Sequence, residues 1–207
     1  MGHRERGGAE LIVQIETGDR RLLAGIDRAL EEAALRSGEW LACRPGCTQC
    51  CMGPFAITQL DAIRLRRGLE KLEGTDPERA ARVRKRAGEH AAAIGPEYPG
   101  DAETGELRDE YALPESMDDV ACPALDPDTG WCDLYEARPV TCRSFGPATR
   151  LGEEEFGACE LCYVGATAEE IAGCAVDMDA EGLEAELLGT LDESGRRGLT
   201  IVAFAVR

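Results

Sequence analysis

Nine residues, CRPGCTQCC at 43–51, hold four of the chain's ten cysteines, and no other feature restricts the fold as much. The remaining six follow at 122, 132, 142, 159, 162 and 174. Thiols this dense are cross-linked, bound to a soft metal or packed as small apolar side chains, and the compartment decides between the first two. The opening MGHRERGGAELIVQ has no apolar stretch followed by a small-residue cleavage site, so no export signal is expected. The longest apolar run, LTIVAFAV at 199–206, is too short to cross a bilayer and reads as a strand. A cytoplasmic chain keeps its thiols reduced, and ten reduced cysteines point to metal ligation.

Thiolates are soft ligands for Zn²⁺, Cu(I) and iron–sulfur clusters. Cys47 and Cys50 have the C-x2-C separation that lets one turn present two sulfurs to a single ion, and Cys43 extends the set to C-x3-C-x2-C. Cys51 fits less easily. In an extended chain it faces away from Cys50, so either the two serve different centres or one of them packs. Downstream, ACPAL and WCDLY flank the turn sequence DPDTG, and a β-hairpin there brings Cys122 and Cys132 together. Pro139 suits the first turn of a brief helix carrying Cys142, whose thiolate the helix dipole is expected to favour. Cys159 and Cys162 repeat the C-x2-C spacing, so at least one is a ligand candidate. Cys174 shares a helix face with Ile171, Ala175 and Met178 and is expected in the core. His3 in the tail and His90 in a charged helix are poor ligand candidates. Arg44, Arg138 and Arg143 stand beside the cysteines and are placed to offset thiolate charge.

Helices are expected over about 20–36 with Asp19 as N-cap, after Thr58 with its capping partner Asp61, and after Asp76–Pro77 to about 94. Two more follow, one opened by Thr167 and Glu170 and one near 180–193. Residues 95–120 are acidic and broken by Pro and Gly, and read as a long exposed excursion. The fold class expected is α+β: a small, mostly helical domain with a cysteine-ligated metal core and a short β-hairpin. The organisation expected is an N-terminal helical segment 1–39, a cysteine-cluster metal-binding domain 40–165 with the acidic insertion at about 95–120, and C-terminal helices and a strand, 166–207, packed on it.

A net charge of −17 disfavours nucleic acid and anionic membranes as partners. The motifs of serine hydrolases and P-loop proteins are missing. Cys43, Cys47 and Cys50 share the spacing of the radical S-adenosylmethionine cluster motif. The chain after Cys51, however, lacks the repeated apolar strands of a β/α barrel. A different likeness is more specific. CRPGCTQCC with FAITQLD, then CPALDPDTGWCDLYEARPVTCRSFGP, resembles the YkgJ family, a zinc- or iron-chelating CxxCxxCC cysteine-cluster group related to flagellin lysine-N-methylases. The matching positions are Cys43, Cys47, Cys50, Cys51, Cys122, Cys132 and Cys142, and Cys159 or Cys162 fills the place of the family's late cysteine. The resemblance implies a metal- or iron–sulfur-binding protein with an unassigned protein or redox partner. The alternative is an iron–sulfur-dependent enzyme, such as an oxidoreductase or a protein lysine methylase.

Overall fold

A computed structural model describes residues 2–44, 46–151, 154–156 and 158–207, with backbone alone for 2–9, 151 and 154–156. The described chain is mostly helical, with short strands, an α+β fold. It forms two compact units: residues 1–43 with 143–194, and residues 44–142 with 195–207. Each unit draws on two separate stretches of the chain.

In the first unit, α1 (Gly2–Ser37) is a single 36-residue helix. Ile15, Leu22, Ile26 and Ala33 form its buried stripe. Because that stripe continues back past Asp19, the expected N-cap is instead a buried mid-helix residue. Gly18 leaves room for a neighbour: a β-carbon there would lie 2.5 Å from Leu187 of α6 (Leu183–Glu193). Gly38, at φ +49°, ends α1 as expected. Strands β4 (Thr149–Leu151), β5 (Glu154–Phe156) and β6 (Val176–Asp177) form a small sheet in the order β5-β4-β6, antiparallel on one side of β4 and parallel on the other. The α5 helix (Ala168–Cys174) opens with the Thr167–Glu170 capping box.

The second unit is built on α2 (Gln59–Thr75) and α3 (Pro77–Ile94). Thr58 and Asp61 make both halves of the capping box on α2, and the Asp76 side chain accepts from Arg79 N to cap α3. Strand β1 (Ala56–Thr58) pairs antiparallel with β7 (Leu199–Ile201), Ile57 facing Thr200. The chain then turns into α7 (Val202–Val206), with all five residues buried. Half of the expected terminal strand is therefore helix, because an unbroken apolar run has no period to separate the two. Its side chains complete a core with Ile57, Leu65, Leu69, Val83 and Leu134.

The acidic excursion is anchored. Tyr98, Leu107 and Met117 are buried against Ile94 and Phe204, and β2 (Gly100–Asp101) pairs with β3 (Glu106–Leu107). Three apolar anchors spread through acidic sequence carry no periodic signal, which is why the segment reads as exposed. The expected hairpin at 122–132 is reduced to one bridged pair, Leu125 with Cys132, closed by Asp126 N→Trp131 O at 2.8 Å. The α4 helix (Val140–Ser144) begins in this unit, just after Pro139.

Candidate metal centre

Three segments of the second unit bring five thiols together. The first is the 3-10 turn Gln49–Cys51. Because the backbone is coiled rather than extended there, Cys50 and Cys51 lie close enough for each to perturb the other's thiol. The premise that split them in the sequence reading therefore fails. Residues 51–53 then run antiparallel to 120–122, with Cys122 N→Cys51 O at 2.7 Å and Gly53 N→Val120 O at 2.9 Å. This short ladder places Cys122 beside the turn, and the Leu125–Cys132 bridge adds Cys132.

Buried charges fix the second and third segments. Asp133, next to Cys132, has a side chain only 1% exposed and receives hydrogen bonds from Arg79 and Arg86 of α3. Arg86 also donates to Pro123 O at 2.8 Å, so one guanidinium holds both arms of the cysteine turn. Asp61 accepts from Val140 N at 3.0 Å and from Arg64 at 2.5 Å, which locks the start of α4 two residues before Cys142. Sequence reading missed these residues, although Arg79 and Arg86 lie seven apart, on one face of a helix.

The electrostatics reflect the crowding. Cys50 and Cys51 behave as a pair: their mutual hydrogen bond holds Cys50 down at about 6 and drives Cys51 far above the ordinary thiol value. Burial pushes Cys122 up to about 12, against N–H donors from Ala124 and Leu125. Burial also raises Cys132, opposed by the Leu134 N–H and by Arg138 and Arg79. Cys142 is raised by burial first and then by Cys122, Cys132 and Cys50. The expected dipole stabilisation of Cys142 is outweighed, since α4 has only five residues and the thiol sits among like groups.

All ten cysteines are free thiols. Among the described residues, no set of three or more His, Cys, Asp or Glu side chains is already arranged to hold a metal ion, so closure requires side chains to turn. The donor chemistry fits a soft ion all the same. Five sulfurs exceed the four that a zinc site takes, backbone N–H groups already address two of them, and arginines lie within electrostatic reach.

The other candidates lie elsewhere. Cys47 is exposed, its N–H bonded to Arg44 O at 3.0 Å. Cys43, Cys159 and Cys162 belong to the first unit, where the Cys43 and Cys162 sulfurs are 3.9 Å apart. Cys174 is buried and donates to Arg36 O at 3.5 Å. Arg138 acts on Cys50 and Cys132, while Arg143 pairs with Asp27 at 2.9 Å. His90 is not on a charged surface. It is buried with neither ring nitrogen hydrogen-bonded, and with Cys122 and Phe55 it lines a small, partly open pocket. The side chain of His3 lies outside the described residues.

Fold and thiols together define a cysteine-cluster domain of the metal-chelating kind. The chain belongs to the CxxCxxCC family, described as "Putative zinc- or iron-chelating domain", whose profile it matches over residues 42–162. Comparison with curated proteins finds no match, and comparison with solved structures finds none either. Among the described residues no helix is long and apolar enough to cross a membrane.

Proposed function

We propose that this is a metal-binding protein whose main centre is formed by Cys50, Cys51, Cys122, Cys132 and Cys142, holding a zinc ion or an iron–sulfur cluster. One observation carries the reading: backbone pairing of 51–53 with 120–122 and of Leu125 with Cys132 gathers thiols from segments far apart in sequence inside one compact unit. Cys47, three residues before the turn's first thiol, is a further ligand candidate. Zinc would supply a structural cross-link, and a cluster would supply electron transfer. The protein's own groups prepare the site for either. The N–H groups of Ala124, Leu125 and Leu134 favour negative sulfur, and Arg138, Arg79 and Arg86 offset the accumulated charge. Ten free thiols suit a reducing compartment, which we take to be the cytoplasm.

Anaerobic purification followed by elemental analysis and absorption spectra tests the reading. Stoichiometric zinc in colourless protein, or iron with sulfide in brown protein, supports it. In either case Cys132→Ser should lose the metal. Folded wild-type protein that binds neither under reducing conditions would overturn it.

A further inference from the structure

We infer that Cys43 and Cys162 form a redox couple: two thiols that close into a disulfide when the exposed one meets a low-molecular-weight disulfide such as oxidised glutathione. The inference goes beyond the metal-binding reading and does not rest on the five-thiol centre, which contains neither residue. The two cysteines are 119 positions apart in the chain, yet their sulfurs lie 3.9 Å apart and are not joined. Closing that gap to an S–S bond of roughly 2.05 Å asks for about 2 Å of sulfur movement. Cys43 is exposed, whereas Cys162 is only 5% exposed. An incoming disulfide therefore meets Cys43 first, and Cys162 is reached only by the sulfur already beside it.

The exchange balances in two steps. The Cys43 thiolate attacks one sulfur of the incoming disulfide, forming a mixed disulfide and expelling one thiolate. The Cys162 thiolate then attacks the Cys43 sulfur, forming the Cys43–Cys162 bond and expelling the second thiolate. Two electrons pass from the protein sulfurs to the incoming disulfide, and the protons lost by Cys43 and Cys162 end on the two released thiols. Excess reduced thiol reverses both steps, which suits a transient bond in a reducing compartment.

The backbone holds the pair in register. Tyr163, immediately after Cys162, sits at φ +57°, a left-handed conformation that a bulky residue adopts only when its surroundings impose it. Its N–H donates to Trp40 O at 2.8 Å, and its hydroxyl meets Ser37 Oγ at 2.6 Å and Ala148 N at 2.9 Å. Tyr163 thereby ties the segment leading to Cys43 to the turn bearing Cys162. Gly146, at φ +125°, leaves space for the Cys43 sulfur, which a β-carbon there would approach to 2.4 Å. Cys159 is the rival partner, in one turn with Cys162 closed by Cys162 N→Cys159 O at 2.8 Å, but the sulfur in contact with Cys162 is that of Cys43. The bond would join the two stretches of chain from which the first unit is assembled.

The test treats reduced full-length protein, with one equivalent of Zn²⁺ present, with oxidised glutathione and maps the joined sulfurs by tandem mass spectrometry. Proteolytic cleavage after Glu160 separates Cys159 from Cys162. Wild type should form the Cys43–Cys162 bond and return to ten thiols with dithiothreitol. Cys162→Ser should stop at the mixed disulfide, keeping one glutathione on Cys43, a trapped species that two merely packed thiols would not give. Cys159→Ser should close as wild type does. Gly146→Ala alters neither sulfur and should slow closure by about tenfold or more, through displacement of the Cys43 sulfur. A Cys159–Cys162 bond in place of the expected one, or glutathione retained on wild-type Cys43, overturns the couple. Closure that occurs only after zinc is chelated also overturns it, because the two sulfurs then serve the metal. Closure in a protein that takes up no zinc upholds the couple and counts against the five-thiol centre instead.

Discussion

Asp133 is where the candidate centre depends most on the rest of its unit, and replacing it with Asn isolates a charge while keeping the shape. Its side chain is 1% exposed, against 20% for Arg86 and 36% for Arg79. Removing one partner of a fully buried ion pair costs about 3–5 kcal/mol. The Arg79 half must be discounted, since a guanidinium more than one-third exposed regains water and exposed pairs contribute about 0–1 kcal/mol. The Arg86 half, a charged hydrogen bond mostly out of water, is worth about 1.5–3 kcal/mol. Asn keeps one oxygen acceptor, so the net cost of Asp133→Asn should be about 2–3 kcal/mol. Urea unfolding of the metal-free protein at pH 7 measures it as a lower midpoint at unchanged slope. The same asymmetry sets an order: Arg86→Met should cost more than Arg79→Met, because Arg86 also releases Pro123 O. Zinc affinity should fall in step, as Pro123 and Asp133 adjoin Cys122 and Cys132. A loss below about 0.5 kcal/mol for Asp133→Asn, or the reverse order for the arginines, would refute the argument.

Gly68→Ala gains helix propensity but puts a methyl 2.3 Å from the Ala137 β-carbon, so it should destabilise by about 1–3 kcal/mol. Adding Ala137→Gly should recover most of that loss, and a double-mutant unfolding cycle checks it. Cys122, Cys132 and Cys142 are held protonated near neutrality, so zinc uptake must release their protons. Affinity, measured with a competing chelator, should rise by roughly a thousandfold per pH unit between about 6 and 8, about tenfold for each proton displaced. In the metal-free protein the sign is reversed: folded-state values above the ordinary thiol value give stability that is complete below about 8.5 and lost as pH climbs towards about 12. Denaturant midpoints across that alkaline range test this. Cys174→Ala should keep the full metal content by elemental analysis, since its sulfur packs in the core and donates to Arg36 O.

Local chemistry in the sequence was reliable because its causes are local. Thr58 with Asp61, Asp76 with Pro77, and Thr167 with Glu170 each satisfy helix-end donors within four residues, and all three helices start there. What failed depended on distant partners. The run at 199–206 became half helix because it fills the space beside α2 and α3. The segment 95–120 is held by three side chains that meet Phe204 from across the sequence. The meeting of Cys50 and Cys51 needed the 3-10 turn, which Pro, Gly and Thr around it do not specify. The ladder from Cys51 to Cys122, closing a loop of some seventy residues, is equally invisible in the spacing.

The cysteine motif also coincides with the seams of the fold. The chain leaves the first unit after Cys43 and re-enters it after Cys142, so CRPGCTQCC contributes to both units. The first unit is assembled from two stretches separated by roughly one hundred residues, and joining such ends costs about 4 kcal/mol of chain entropy by the loop-closure relation. The five-thiol centre lies within one stretch of the second unit, where it would close the 51–122 loop and leave the return of residues 195–207 to β1 and the apolar core. Metal removal should therefore loosen the second unit and leave the first unchanged. Hydrogen exchange of the wild type and of Cys122→Ser/Cys132→Ser can observe this, because protection should fall at Cys122 and Asp133 and hold at Tyr163 and Ala148.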